Sequence, residues 1–68
     1  MLIEVGGVIR STRGGYMFIL VLESSVPEDP RCARVLILDC HEDLIWKSGQ
    51  VGLLAHSALR NGNFEVYA

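Results

Sequence analysis

Two stretches of the chain are apolar without interruption, and they constrain the fold more than any other feature. Residues 16–22 read Y-M-F-I-L-V-L, and residues 35–38 read V-L-I-L. A strand with one face in water alternates apolar and polar side chains, whereas short continuous apolar runs are typical of strands covered on both faces. The sequence therefore predicts that both stretches are inner strands of a sheet and carry apolar side chains on both faces.

The remaining strands are predicted from β-branched residues, alternation and turn signals. We expect a bent strand over residues 2–10, with the bend at Gly6 and Gly7, and a turn over residues 11–15 that makes a hairpin with the next strand. Pro27 and Pro30 place a surface loop over residues 23–31. Further strands are predicted over residues 34–40, 44–47 and 63–67, and in the last Phe64 and Val66 lie opposite Glu65 and Tyr67.

From Ser48 onward the spacing of apolar residues changes and favours a helix over about residues 49–61. Five apolar residues recur at the spacing of one helix face: Val51, Leu54, Ala55, Ala58 and Leu59. Ser48 can cap the start, and Asn61-Gly62 is typical of a helix end, although the same pair also forms hairpin turns. Gly49 and Gly52 lower the helix propensity of this segment by about 1 kcal/mol each.

Together these elements predict one domain over residues 1–68 with an α+β fold. The fold is a small curved antiparallel sheet of four to five strands with one helix over about 49–61. A small all-β barrel, SH3-like or OB-like, is the alternative. One helix covers only one face of a sheet, so a second cover is required for the other face. Either the sheet curls into a barrel, or a second copy of the chain packs on the open face.

Leaving that face in water would be costly for a chain of 68 residues. Four or five exposed apolar side chains at about 1.5–3 kcal/mol each amount to a sum comparable with the whole stability of a small domain. We therefore expect a homo-oligomer, in the first place a twofold dimer. An unknown protein partner is a further expectation, because an open sheet edge or the outer side of the helix is able to receive one.

The residues that carry chemistry do not form a recognised catalytic or metal-binding pattern. Zinc is the first candidate, with the ligand types Cys32, Cys40, His41 and His56, but their spacing differs from that of structural zinc sites. Asp39, Glu42 and Asp43 surround His41 in what the sequence predicts to be a solvated turn. The segment S-T-R-G-G at 11–15 matches no phosphate-binding motif. We expect no enzyme, no catalytic residues, no metal and no cofactor.

Charge and cysteine usage limit the partners and the compartment. The formal net charge of −2 gives no overall attraction to nucleic acid or to anionic lipid. No apolar run approaches the about 18 residues of a membrane span, and no secretory leader precedes the two cysteines. Cys32 and Cys40 would lie about 26 Å apart on an extended segment, too far to form a disulfide. The expectation is a reduced, cytoplasmic protein with no membrane contact.

Function is predicted by exclusion, and two hypotheses stay open. The first is a non-catalytic interaction or regulatory module that acts through protein–protein contacts as a homo-oligomer. The second is binding of single-stranded nucleic acid, because small curved sheets use arginines to follow phosphates and aromatic rings to stack bases. Five of the six basic residues are arginines. The candidate binding rim consists of Arg10, Arg13, Tyr16, Arg31, Arg34 and Trp46, although Trp46 is also typical of a core anchor.

Overall fold

The computed structural model describes residues 1–13, 15–42 and 44–68, which form a five-stranded antiparallel sheet with one short helix. The elements are β1 (Val8–Ser11), β2 (Met17–Glu23), β3 (Cys32–Cys40), β4 (Val51–Ala55), α1 (His56–Leu59) and β5 (Phe64–Val66). Their order across the sheet is β4-β3-β2-β1-β5. The predicted fold class is confirmed. Within the described residues β4 and β5 are the two edges, so the sheet is open and the alternative of a closed barrel is not observed.

The two apolar runs occupy the positions predicted for them inside the sheet. β2 is the middle strand and pairs with β1 on one side and β3 on the other. The predicted hairpin between β1 and β2 is also present, and the hydroxyl of Ser11 donates a hydrogen bond to the carbonyl of Gly15 at 3.0 Å. Both central strands therefore present two faces that require cover.

The inner face of the sheet carries the core, built from every second residue of the strands. Its buried side chains are Ile9, Met17, Ile19, Val21, Ala33, Val35 and Ile37. Four further elements close this face: the N-terminal segment through Ile3, the turn after β3 through Leu44 and Trp46, α1 through Leu59, and β5 through Phe64. The chain thus covers the inner face with its own side chains.

The bend predicted at Gly6 and Gly7 divides the first predicted strand. Gly6 has a φ of +84°, which residues other than glycine rarely adopt. Its N–H donates to the carbonyl of Val21 at 2.8 Å, while the N–H of Val21 donates to the carbonyl of Gly7 at 3.0 Å. β1 therefore begins only at Val8, and the residues before the bend fold back so that Ile3 joins the core.

The helix predicted over about 49–61 is much shorter in the structure, and its first part is a strand. Residues 51–55 form β4, and α1 spans only His56–Leu59. Close packing against Trp46 accounts for the difference, because a Cβ atom built on Gly52 would lie 2.5 Å from Cζ3 of Trp46. At this position the backbone pairs with Val35 of β3. Contacts with residues distant in sequence override the local helical spacing here.

The short strand predicted over residues 44–47 is not observed. Residues 44–46 form bends in the connection between β3 and β4. Leu44 and Trp46 pack against the core, while Ile45 between them is 89% exposed. The described chain contains no helix with the length and apolar character that crossing a membrane requires.

Candidate interaction surface

The second face of the sheet, called the outer face below, is also apolar. The strand registers place on it the side chains that alternate with those of the core. It consists of Val8 and Arg10 on β1, Phe18, Leu20 and Glu23 on β2, Arg34, Leu36, Leu38 and Asp39 on β3, Val51 and Leu53 on β4, and Glu65 on β5, with Tyr16 and Tyr67 beside the ends of β2 and β5. Most of these residues are aliphatic or aromatic.

No segment of the described chain covers the outer face. Tyr67 is 58% exposed, Val51 51% and Leu38 44%, although all three are large apolar or aromatic residues. Phe18, Leu20 and Leu36 are half-buried, since neighbouring side chains on the same face shield them in part. Residues 17, 19, 21, 35 and 37 of the two apolar runs are sealed in the core, whereas residues 16, 18, 20, 22, 36 and 38 are not.

Three aromatic rings form a cluster where β1, β2 and β5 lie side by side. The ring centroids of Phe18 and Tyr67 are 5.1 Å apart in an edge-to-face arrangement, and those of Tyr16 and Phe18 are 6.3 Å apart. The guanidinium carbon of Arg10 lies 5.5 Å from the centroid of the Tyr67 ring. On the other side, the ring of His41 meets Tyr16 edge-on at 5.9 Å. This aromatic cluster is the largest group of ring contacts described on the molecule.

The hydroxyl of Tyr16 lies 3.5 Å from Oδ1 of Asp39 on β3, which is a long hydrogen bond. The negative charge of Asp39, followed by partial burial, raises the pKa of Tyr16 above its usual value. The phenol is therefore neutral at physiological pH.

Ion pairs border the apolar part of the outer face. At one border Arg10 pairs with Glu65. At the other border Nε of Arg34 donates to Oε1 of Glu23 at 2.6 Å, and a second nitrogen of Arg34 pairs with Glu28. The hydrogen bond that Arg34 donates to Glu23, followed by the one it donates to Glu28, raises the pKa of Arg34. Both borders thus carry positive and negative groups close together.

The structure divides the predicted binding rim among three places. Arg10 and Tyr16 belong to the outer face and its aromatic cluster, and Arg13 is exposed in the hairpin turn close to them. Arg34 lies toward the opposite end of the sheet, beside Glu23 at the end of β2. These residues therefore do not form one continuous basic patch.

Arg31 and Trp46 lie outside the aromatic cluster. Arg31 lies next to the start of β3, and its backbone N–H and its Nε both donate to Oδ1 of Asp29. These hydrogen bonds lower the pKa of Asp29. Trp46 packs over Gly52 against the core and is half-buried, as a core anchor is.

Sequence reasoning missed the aromatic cluster, although part of its signal was present. Phe18 was expected to be buried, but it is half-buried on the outer face. The alternation over residues 63–67 had placed Glu65 and Tyr67 on a common side. What the sequence did not show is the pairing of β5 with β1, which puts that side next to Arg10 and Phe18.

A surface pocket of about 440 Å³ lies beside the first residue of β3 and the last residue of β4. Cys32 and His56 are among the residues that line it. Burial, followed by the neighbouring Asp29, raises the pKa of Cys32, so its thiol is protonated at neutral pH and is a weak nucleophile. Nε2 of His56 is 2.6 Å from the carbonyl oxygen of Ser24, so this nitrogen donates its hydrogen there. Sγ of Cys32 itself donates to Oδ2 of Asp29 at 3.5 Å, and a thiol with a raised pKa beside a carboxylate is the opposite of an activated nucleophile.

The other groups considered for chemistry are dispersed. Cys32 and Cys40 lie at the two ends of β3, and both are free thiols. Sγ of Cys40 donates to the carbonyl of Trp46 at 3.0 Å. Among residues 1–13, 15–42 and 44–68, no three His, Cys, Asp or Glu side chains are grouped to hold a metal ion. Asp39 and Glu42 are exposed, and Asp43 of the same predicted turn lies outside the described residues.

Fold and surface define the chain as a small antiparallel sheet with one covered and one open apolar face. No family model matches the sequence, and no curated protein and no solved structure is significantly similar to it.

Proposed function

We propose that the protein is a non-catalytic interaction or regulatory module that works through protein–protein contacts. Its first partner is a second copy of itself, bound outer face against outer face in a twofold dimer. The observation that carries this proposal is the open apolar outer face, which contains Leu20, Leu36, Leu38, Val51 and Leu53 together with the aromatic cluster.

The size of the outer face supports this choice of partner. Five strands about 4.8 Å apart, with 4, 7, 9, 5 and 3 residues at about 3.3 Å per residue, give a face of about 440 Å² in projection. The accessible surface of a pleated face exceeds its projection, and a standard interface buries about 800 Å² on each partner. Packing two such faces therefore buries an area at the lower end of the range of specific protein–protein interfaces.

The charge pattern of the outer face is compatible with self-association. A twofold axis brings the same patch of each copy together, so a patch of one sign would repel itself. Arg10 with Glu65, and Arg34 with Glu23 and Glu28, instead place both signs at each border. Neutralised borders around an apolar centre correspond to the usual division of an interface into an apolar core and a polar rim.

Sedimentation of a matched pair of variants tests this proposal. Leu38→Glu places a carboxylate on the outer face, and Ile45→Glu places the same group on the most exposed large apolar side chain, in the connection before β4. Burying one unpaired charge costs several kcal/mol, so we expect Leu38→Glu to weaken dimerisation at least about tenfold, which corresponds to about 1.4 kcal/mol. Ile45→Glu should sediment as the unchanged protein does. A protein that remains monomeric at all concentrations would contradict the proposal.

The second candidate function is binding of single-stranded nucleic acid, and the aromatic cluster is the observation that favours it. Tyr16, Phe18 and Tyr67 present partly exposed rings on one face of a sheet, and Arg10 lies against one of them. Stacking of one base on an aromatic ring of this kind contributes about 1–3 kcal/mol to the binding free energy. Against it, carboxylates neutralise Arg10, Arg31 and Arg34, so little positive charge is left to follow a phosphate backbone.

Fluorescence anisotropy with a labelled single-stranded oligonucleotide at low salt separates the two candidates. Nucleic-acid binding requires that Tyr67→Ala weakens the complex by about tenfold or more, since one stacked ring is lost. It also requires that the double variant Arg13→Ala/Arg34→Ala reduces the dependence of affinity on salt. Under the protein-contact proposal we expect no binding by any of these proteins at physiological salt.

A further inference from the structure

One side of β4 is an open edge of the sheet, and backbone groups on this side have no partner among the described residues. The carbonyl of Gln50 accepts from the N–H of Ile37 at 2.8 Å, and the N–H of His56 donates to the carbonyl of Arg31 at 2.8 Å. Residues that face a neighbouring strand alternate along an antiparallel ladder, so residues 50, 52, 54 and 56 face β3. The N–H and C=O groups of Val51 and Leu53 and the N–H of Ala55 consequently point away from the sheet. The C=O of Ala55, the N-cap residue of α1, accepts the first hydrogen bond of the helix.

This edge lacks the features that normally protect an edge strand. Natural sheets use charged side chains, prolines, bulges or very short strands to prevent pairing with other chains. β4 has five residues, V-G-L-L-A, without a charge or a proline, and its register with β3 is regular. The opposite edge, β5, has only three residues, and one of them is Glu65. β4 is therefore the edge that is open to pairing.

We propose that β4 pairs in antiparallel fashion with β4 of a second copy, about a twofold axis through Leu53. The three residues that point outward are spaced by two and are symmetric about Leu53. The axis places Leu53 beside Leu53 of the second copy, and Val51 beside Ala55. The N–H groups of Leu53 and Ala55 then donate to the C=O groups of Leu53 and Val51 of the other copy, which gives about four hydrogen bonds across the contact.

The side chains of β4 favour a second copy as the occupant of this edge. In the proposed register the large Val51 lies next to the small Ala55 of the other copy, and Leu54 lies opposite Gly52. Only Leu53 lies beside the same residue of the other copy. Both side chains are on the outer face, where two leucines make a favourable cross-strand pair. Neither strand carries a charge that would repel the other. This contact is separate from the packing of outer faces and does not depend on it.

Intermolecular nuclear Overhauser effects in a mixture of labelled and unlabelled protein test the register. Gly52 and Leu54 of the second copy form a non-hydrogen-bonded pair, in which the Cα atoms approach to about 4.5 Å and the Hα atoms are close. We expect an isotope-filtered cross-peak between these Hα atoms at the high concentrations used for NMR. A concentrated sample that shows intermolecular contacts only among outer-face side chains, or none at all, overturns the proposal.

A matched pair of substitutions at the axis provides the second measurement. Proline is accepted at edge positions whose N–H faces away from the sheet, so Leu53→Pro should fold, and the fluorescence of Trp46 checks that it does. We expect Leu53→Pro to abolish the Gly52–Leu54 cross-peak and to increase amide exchange at Ala55, whose N–H donates to Val51 of the other copy, at least tenfold. Leu53→Val retains the N–H and should preserve both signals. A cross-peak that persists in folded Leu53→Pro contradicts the pairing.

A synthetic peptide of residues 50–56 covers the case in which Leu53→Pro does not fold. The peptide should shift the amide resonances of Val51, Leu53 and Ala55, whereas the same peptide N-methylated at Leu53 should leave them unchanged. Equal shifts with both peptides, or none with either, overturn the pairing. Leu38→Glu should retain the cross-peak even though it weakens the outer-face dimer, so failure of the proposed function and failure of this pairing are distinguishable.

Discussion

At the scale of single residues, Tyr16 shows how a neighbour across the sheet sets the chemistry of a side chain. Asp39 on β3 faces the start of β2, and its charge opposes ionisation of the phenol. The sequence does not indicate that these two residues interact, because 23 positions separate them. Their interaction is produced by the pairing of β2 with β3.

The pH dependence of Tyr16 follows from this contact. Its pKa is raised in the folded protein, whereas an unfolded tyrosine has a pKa of about 10. Between these two pKa values Tyr16 binds its proton more fully in the folded than in the unfolded state. Its contribution to the free energy of unfolding is therefore present below about pH 10 and is lost as pH rises through the folded pKa. We expect Asp39→Asn to lower the pKa of Tyr16, measured by phenolate absorbance in a Tyr67→Phe background. An unchanged titration would contradict the assignment to Asp39.

At the scale of elements, α1 is a four-residue helix that depends on one buried side chain. Leu59 is fully buried, whereas Ser57 on the same helix is exposed. Isolated helices of this length are not stable in water. The helix therefore forms because Leu59 packs into the core, with little contribution from helix propensity.

Substitutions on α1 measure this dependence. Leu59→Ala removes a buried leucine and should lower the free energy of unfolding by about 2–5 kcal/mol. Ser57→Ala changes an exposed position of the same helix and should alter it by less than about 0.5 kcal/mol. Urea denaturation of both variants makes the comparison. Similar losses in the two variants would show that Leu59 does not anchor the helix.

β4 provides a second prediction at this scale. Gly52→Ala introduces a Cβ where Cζ3 of Trp46 lies, so the indole must move. Overpacking of this kind costs about 1–3 kcal/mol, and we expect a comparable loss of stability together with a shift in Trp46 fluorescence emission. Val51→Ala, at an exposed position of the same strand, is the control and should leave the emission unchanged.

At the scale of the whole molecule, the sheet has one face that the chain covers and one that it leaves open. Ile3, Leu44, Trp46, Leu59 and Phe64 all lie on the inner side, so the outer face receives none of them. The chain has no further described element that would reach it. The proposed association with a second copy would remove this apolar surface from water.

The proposed dimer predicts that thermal stability depends on protein concentration. A partner that binds only the folded state stabilises it in proportion to the logarithm of its concentration. We expect the Tm to rise with concentration for the unchanged protein and for Ile45→Glu, and to rise less for Leu38→Glu, which retains only the proposed β4 contact. A Tm independent of concentration in all three would contradict outer-face association.

The strands could be predicted where local pattern and tertiary environment agree. The unbroken apolar runs indicated that β2 and β3 are inner strands, and the glycines and polar residues after Arg10 indicated the hairpin. The helix prediction over 49–61 was too long, because the spacing from Val51 to Leu59 fits a helix as well as a strand followed by one helical turn. Packing of Trp46 on Gly52 and pairing with β3 decided between them.

The candidate site was predictable in kind but not in arrangement. Apolar side chains on both sides of residues 16–22 and 35–38 were sufficient to predict an uncovered face. The binding rim was assembled from arginines near strand ends, and sequence position does not show which end of a sheet a residue occupies. In the structure Arg10 and Arg34 lie toward opposite ends of the sheet, and each forms ion pairs with acidic residues.

By itself the sequence determined the composition of the strands and the excess of apolar surface, because both depend on the order of residues along the chain. Only the tertiary structure decided which strand lies beside which, that Tyr67 joins Phe18, and that β4 is an open edge. Those features depend on contacts between residues far apart in the chain, and no local pattern specifies such contacts.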